Sequence, residues 1–221
     1  EHDLQVEGSI SKYFATAVGD AAANDAIQAL GGYGYVREFE VEKIKRDIKI
    51  TTIFEGTSEI QRSIISTFRL RETVRSKGRF YLDMAEALEK LPPDCGAQIV
   101  ARSIRLLKDV VLNTRKHKLT RSQYVMFLLA DMMTWCEVGE ALCQKAAAGH
   151  SHGRSPEFRK AVARLFALEV ETKAFLNGTK IAQGCGELMG DVVPKLKELD
   201  LGETSRHFMA DMDQVAAEIV R

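Results

Sequence analysis

Glu55 stands in a sequence setting that could do chemistry. It follows the β-branched and aromatic stretch Ile50-Thr51-Thr52-Ile53-Phe54 and precedes Gly56. Behind it, Thr57 and Ser58 each offer a hydroxyl suited to the N-cap of a new helix, and Gln61 lies three residues after Ser58, in capping-box register. The orphan N–H groups of that helix's first turn then sit close to Glu55. A carboxylate beside a flexible glycine and a helix N-terminus is suited to work as a general base. A solvated loop acid next to a turn glycine would show the same two residues, so the pair alone selects no reaction.

The elements that must position this turn can be read outward from it. Phe14, Val18, Ala21, Ala22, Ala26 and Leu30 recur at helical spacing and predict a helix from about Ser11 to Leu30 with one buried stripe. Gly31 suits its C-terminal end, where φ is often positive. The alanines on that stripe predict close approach by another helix. Between Glu38 and Lys49 the charges alternate in sign, with Glu42 and Arg46 at i, i+4, as on a solvated helix face. Gly32-x-Gly34 is not a dinucleotide-binding fingerprint, because it follows a helical run where a strand is required and lacks the third glycine.

Three stretches, in order and at matching spacing, resemble the C-terminal signature of the acyl-CoA dehydrogenases. They are Gln28-Ala29-Leu30-Gly31-Gly32-Tyr33-Gly34-Tyr35, then Val41-Glu42-Lys43-Ile44-Lys45-Arg46-Asp47, then Phe54-Glu55-Gly56-Thr57-Ser58-Glu59-Ile60-Gln61-Arg62. The resemblance implies an FAD enzyme that desaturates acyl-CoA thioesters between Cα and Cβ in fatty acid β-oxidation. Glu55 is then the base that takes the α-proton while the β-hydrogen leaves as hydride to the flavin. Its backbone N–H, with a flavin ribityl hydroxyl, would hold the thioester oxygen, and Gly56 would let the substrate approach closely. Gln28, Gly31 and Gly32 match positions that touch the FAD of a neighbouring subunit. Thr57 and Glu59 match positions near the adenosine half of the subunit's own FAD, although Glu59 departs from the small or amide residues often seen there. Arg46 and Asp47 match a step expected to support the Glu55 turn.

The same resemblance sets expectations for the rest of the molecule. Family members carry an N-terminal helical domain and a β-domain ahead of this signature, and two helices of a four-helix bundle lie upstream. The chain, which does not begin with Met, is therefore expected to be a C-terminal piece, inactive alone. The apolar stripe of its first helix is expected to bury against its own C-terminal half or a second copy. Electron-transferring flavoprotein is the expected electron acceptor. The location would be cytoplasmic in a bacterium and the mitochondrial matrix or inner-membrane surface in a eukaryote.

Residues 1–70 are read as part of the catalytic C-terminal domain and residues 71–221 as a helical extension, in an all-α helical-bundle fold. The length of the extension, and Lys116-His117-Lys118 followed by Leu128-Leu129-Ala130-Asp131, resemble the very-long-chain branch of the family. In that branch the extension sits where a second dimer would dock, which implies a homodimer. Predicted helices are Val74 to Glu89, Gln98 to Lys118, Arg121 to Ala148, Pro156 to Gln183 and Ser205 to Val220. Pro92-Pro93 breaks the first from the second, Asp94 or a neighbour caps the second, and Ser155-Pro156 starts the fourth.

With 31 basic and 31 acidic residues the formal charge is zero, which gives no footprint for nucleic acid. Cys95, Cys136, Cys143 and Cys185 form no C-x-x-C pair and read as reduced thiols. Cys136 and Cys143, seven apart, share a helix face and read as core, as do Met126, Phe127, Met132, Met133 and Trp135. His150 and His152 in a glycine loop read as a surface turn, with no metal site assigned, and Gly184-Cys185-Gly186 as a helix end. The basic run Arg102 to Lys118 reads as a solvated face in preference to a peripheral membrane contact. The competing function class is a non-catalytic oligomerisation or interaction module derived from the same family. Retention of Glu55 and the glycines argues against it, since a scaffold needs neither.

Overall fold

The computed structural model describes residues 4–149, 153–184, 186, 189–199, 202 and 205–220. Among them are ten α-helices, no strand, and no helix long and apolar enough to cross a membrane. The chain divides into two compact units, Glu1–Phe68 and Arg69–Arg221. His150, His152 and Cys185 lie outside the described residues.

The first unit contains α1 (Gln5–Leu30), α2 (Gly32–Tyr35), α3 (Val41–Ile50) and the start of α4 (Ser58–Arg75). α1 begins earlier than the apolar spacing predicts, and its buried face is a different one: Val6, Ser9, Ile10, Tyr13, Thr16 and Ala23. On the predicted stripe, Val18 and Leu30 are 45% and 44% exposed and Ala21 and Ala22 are exposed as well. The reason is α3, which docks where α1 has small side chains. A Cβ on Gly19 would stand 3.0 Å from Ile48 Cδ1, and Lys45 Nζ reaches both Asp20 O and Asp20 Oδ1 at 2.9 Å. That contact holds the Asp20 carboxyl below its ordinary range. Large apolar residues mark a stripe in sequence, whereas a docking groove at a glycine leaves little periodic signal. Gly31 ends α1 with φ 58°, and Gly34 is required by close approach, since a Cβ there would lie 2.5 Å from Ile27 O.

The second unit holds the end of α4, then α5 (Arg79–Leu88), α6 (Ala97–Lys116), α7 (Gln123–Ala147), α8 (Pro156–Gly184), α9 (Met189–Leu196) and α10 (Phe208–Ile219). The helix expected over Val74 to Glu89 is in fact two. Lys77 and Gly78 adopt φ 51° and 86°, and Gly78 N–H donates back to Thr73 O at 2.7 Å, closing α4 before α5 begins. α9, which carries Pro194 inside it, gave no periodic signal strong enough to predict. Ser155 caps α8 as expected, accepting Phe158 N–H at 3.0 Å. Asp94 does not cap α6; Gly96 at φ 76° stands there, and Asp94 pairs with Lys160 at 2.6 Å.

The core of this unit lies where α6, α7 and α8 meet, with Leu107, Leu129, Met132, Met133 and Ile181 fully buried. Gly139 lets α7 approach: a Cβ there would be 2.9 Å from Val170 and 3.3 Å from Val100. Cys136 and Cys143 are buried free thiols, and desolvation pushes the Cys136 thiol well up. A polar cluster is packed into the same unit. Arg69 Nη2 meets Glu137 Oε2 at 2.8 Å, Tyr81 Oη donates to Glu137 Oε1 at 3.0 Å, and Glu72 lies 3.1 Å from Arg69 Nη1.

Cations of the basic α6 run are drawn into ion pairs. Arg102 meets Glu171, Arg105 meets Glu89, and Lys116 meets Asp191 at 2.8 Å. Asp191, in the first turn of α9, also lies 3.0 Å from His117 Nε2, and these hydrogen bonds, that with His117 first, hold its carboxyl below the usual carboxylate range. A carboxylate depressed in the folded state stabilises above its unfolded value and loses that contribution as pH falls through the folded value. The docking of α9 on α6 is therefore expected to loosen below about pH 4, with amide exchange in α9 accelerating there. Asp191→Asn should lack this acid step, and an identical step in that variant would refute the assignment.

Candidate functional site

Glu55 lies in the turn between α3 and α4. The β-branched stretch ahead of it coils back instead of extending, for Ile50 O accepts both Ile53 N–H at 2.9 Å and Phe54 N–H at 3.0 Å. Glu55 and Gly56 then take φ 50° and 89°, two successive residues in the left-handed region. Glycine does so freely, but for a glutamate this costs of the order of 1 kcal/mol or more, and such conformations persist only where the surroundings over-determine them.

Two side chains supply that determination. Lys12 Nζ, from α1, donates to Thr51 O at 2.6 Å and to Gly56 O at 2.7 Å, spanning the turn. Gln61 Nε2 donates to the carbonyls of Glu55 and Gly56 at 3.3 and 3.4 Å. Gln61 therefore does not close a capping box, as its register predicts; it reaches back across the turn. The cap is Thr57, whose Oγ1 accepts Ile60 N–H at 3.3 Å. Arg46 and Asp47, expected to support the turn, engage Glu42 at 2.8 Å and Lys43 at 3.9 Å within α3. Lys12 was missed because a single lysine is ordinarily read as solvated. Its signal was its spacing from Ser9 and Thr16, at i+3 and i+7, which places all three on one helix face. Lys12→Met is expected to speed amide exchange at Phe54 and Ser58 about 10-fold, the loss of roughly one charge-assisted bond at a half-buried position. Unchanged exchange would show that the turn holds itself.

The result is a turn that presents an exposed carboxylate with unused donors beside it. Among the described residues no acceptor takes the N–H groups of Glu55, Gly56 or Thr57. Such donors, fixed in place, suit an oxygen that gains negative charge. Glu59, in the first turn of α4, folds onto its own N–H and the Thr57 hydroxyl, and these bonds hold its carboxyl below the ordinary range. Its carboxylate thus occupies the helix terminus that an anionic ligand would use.

Gln28, Gly31 and Gly32 are not brought to this turn. They sit at the far end of α1 from Lys12, about 24 Å away at the rise of an α-helix. There all three are exposed, and a Cβ on Gly31 or Gly32 would meet nothing within 4 Å. The two groups of residues are separate surfaces of one unit. No cluster of metal-ligating side chains occurs among the described residues.

Residues 1–69 match the family model for the acyl-CoA dehydrogenase C-terminal domain. An acyl-CoA dehydrogenase of Bacillus subtilis is 51% identical over 67 residues, which cover 30% of this chain and 18% of that relative. The caffeyl-CoA reductase–Etf complex subunit CarC of Acetobacterium woodii is 39% identical over 66 residues, 30% of this chain and 17% of that relative. Each match thus covers less than a fifth of the relative. The structure of an acyl-CoA dehydrogenase complexed with FAD from Bacillus anthracis aligns over 97% of this chain and 39% of its own, with a TM-score of 0.71 and 23% identity. That likeness extends the common fold through the second unit.

Proposed function

We propose that this chain, whose residues 1–69 match the C-terminal domain of the acyl-CoA dehydrogenases, is part of an FAD-dependent enzyme that desaturates acyl-CoA thioesters. The observation that carries the reading is the Glu55 turn, with its exposed carboxylate, unpaired amides and a glycine at the next position. In this reading Glu55 removes the proton from Cα. That proton is weakly acidic, so the base must be positioned, and the bound acyl chain must exclude water from it. The Glu55 N–H donates to the thioester oxygen as charge develops there. Gly56, without a Cβ, leaves the substrate room.

FAD, when bound, supplies the acceptor for the β-hydrogen. Gln28, Gly31 and Gly32 fit a cofactor contact, because their surface is open and free of side-chain bulk. Thr57 fits near a second cofactor, while Glu59 fits only if its carboxylate leaves the α4 terminus. The placement of the two groups at opposite ends of α1 supports a homodimer in which each subunit contacts both cofactors. Electron-transferring flavoprotein is the electron acceptor we infer, in line with a relative that belongs to an Etf complex. The second unit corresponds to the extension of the very-long-chain branch, and the chain alone is inactive.

The test is anaerobic: the full-length protein is titrated with acyl-CoAs of graded chain length while flavin absorbance is followed. Bleaching that depends on chain length supports the reading and names the substrate. A protein that holds no FAD, or FAD that no acyl-CoA bleaches, ends it.

A further inference from the structure

In the second unit, the end of α7 and the start of α8 border a half-open cavity of about 230 Å³, lined chiefly by Leu142, Lys145, Arg154, Phe158, Arg159 and Val162. Its lining combines an apolar wall of Leu142, Phe158 and Val162 with three cations, and contains no carboxylate among the described residues. Arg154 and Arg159 are held in place by carbonyl oxygens. Arg159 donates through Nη1 and Nη2 to the carbonyls of Arg154 and Gly149 at 3.1 and 3.2 Å, and its Nε is buried with no partner among the described residues. Arg154 lies 5.3 Å over the Phe158 ring and donates to Glu218 O at 2.7 Å. The Glu218 carboxylate accepts from Ser155 N and Oγ at 2.9 and 2.6 Å.

Carbonyl oxygens satisfy donors but leave the positive charge in place. Elsewhere in this unit the pattern is different: Arg69, Arg102, Arg105 and Arg164 each meet a carboxylate. Guanidinium groups beside an apolar wall suit a ligand with an anionic head and a hydrocarbon body. At about 30 Å³ for each water-sized atom, the space admits roughly eight non-hydrogen atoms, enough for a short chain whose carboxylate oxygens lie at the open side.

We propose that this cavity binds a small amphipathic anion, a straight-chain carboxylate of about six to eight carbons, with its chain against Leu142, Phe158 and Val162 and its head against Lys145, Arg154 and Arg159. The proposal does not depend on the Glu55 reading, since the cavity belongs entirely to the second unit.

Photolysis of the full-length protein with octanoate carrying a terminal diazirine tests it. Label is expected on peptides containing Leu142 or Val162, to be displaced by octanoate and octyl sulfate, and to persist in octanol or inorganic phosphate. Lys145→Gln removes an exposed cation and is expected to cut labelling at least 5-fold. Leu142→Trp, which fills the apolar wall, is expected to cut it at least 10-fold. Label confined to other peptides, labelling unchanged in both folded variants, or displacement by octanol as effective as by octanoate would each overturn the proposal. So would protection by an acidic peptide and not by octanoate.

Discussion

Glu55→Gln in the full-length enzyme is expected to keep its FAD and to lose substrate-driven flavin bleaching by about 10²–10⁴-fold, the usual contribution of a positioned general base. The substitution is nearly isosteric and leaves the backbone alone. The Glu55 N–H, the Gly56 conformation and the bonds from Lys12 and Gln61 all remain. Substrate affinity should therefore change far less than the rate, which separates the proton acceptor from the donors that hold the thioester oxygen. Glu55→Asp should fall between the two, because aspartate accepts the left-handed backbone at this position readily but its carboxylate is set back by one methylene. Rapid anaerobic mixing with the best acyl-CoA measures all three proteins. Bleaching of the glutamine variant at the wild-type rate would remove Glu55 from the chemistry.

The second large effect is on stability. Arg69→Ala is expected to destabilise the second unit by about 3–5 kcal/mol, since it removes a guanidinium from a nearly buried carboxylate. Arg69 and Glu137 are only 8% and 10% exposed at their side chains, so water does little to replace the lost partner. Tyr81→Phe, which deletes one hydroxyl donor to Glu137, should cost about 1 kcal/mol. The double replacement Arg69→Met with Glu137→Leu should cost less than Arg69→Ala, because it leaves no buried ion behind. Urea unfolding of the three variants decides the matter. A cost below about 1 kcal/mol for Arg69→Ala would mean that solvent reaches the pair freely.

Helix content was legible in the sequence wherever large apolar residues repeat and a capping residue or glycine marks an end. α6, α7 and α8 lie within two residues of their predicted bounds at either end. Errors arose where backbone conformation, not side-chain pattern, decided the outcome. The break at Lys77 and Gly78 depends on two positive φ angles, within a stretch, Arg75 to Arg79, that carries no apolar side chain and can pass for the solvated face of a continuous helix. α1 was located but its buried face was misread, because α3 docks through Lys45 and Ile48 onto small residues that carry no hydrophobic signal. At the turn, Glu55, Gly56 and Thr57 could be found from residue type and order. Lys12 was harder to find: its spacing from Ser9 and Thr16 puts it on their helix face, but nothing local marks a bond to a carbonyl 44 residues away.

α1 also acts as a ruler. It is one uninterrupted helix from Gln5 to Leu30, clamped at one end to the Glu55 turn through Lys12 and carrying Gln28, Gly31 and Gly32 at the other. A residue inserted between Lys12 and Gln28 would lengthen it by about 1.5 Å and turn everything beyond by about 100°. The small displacement could be absorbed, but the rotation would carry the glycine surface to a different side of the unit. Chain length between these two positions is therefore constrained by angle. Insertions of about seven residues, two full turns, should be tolerated far better than insertions of one or two.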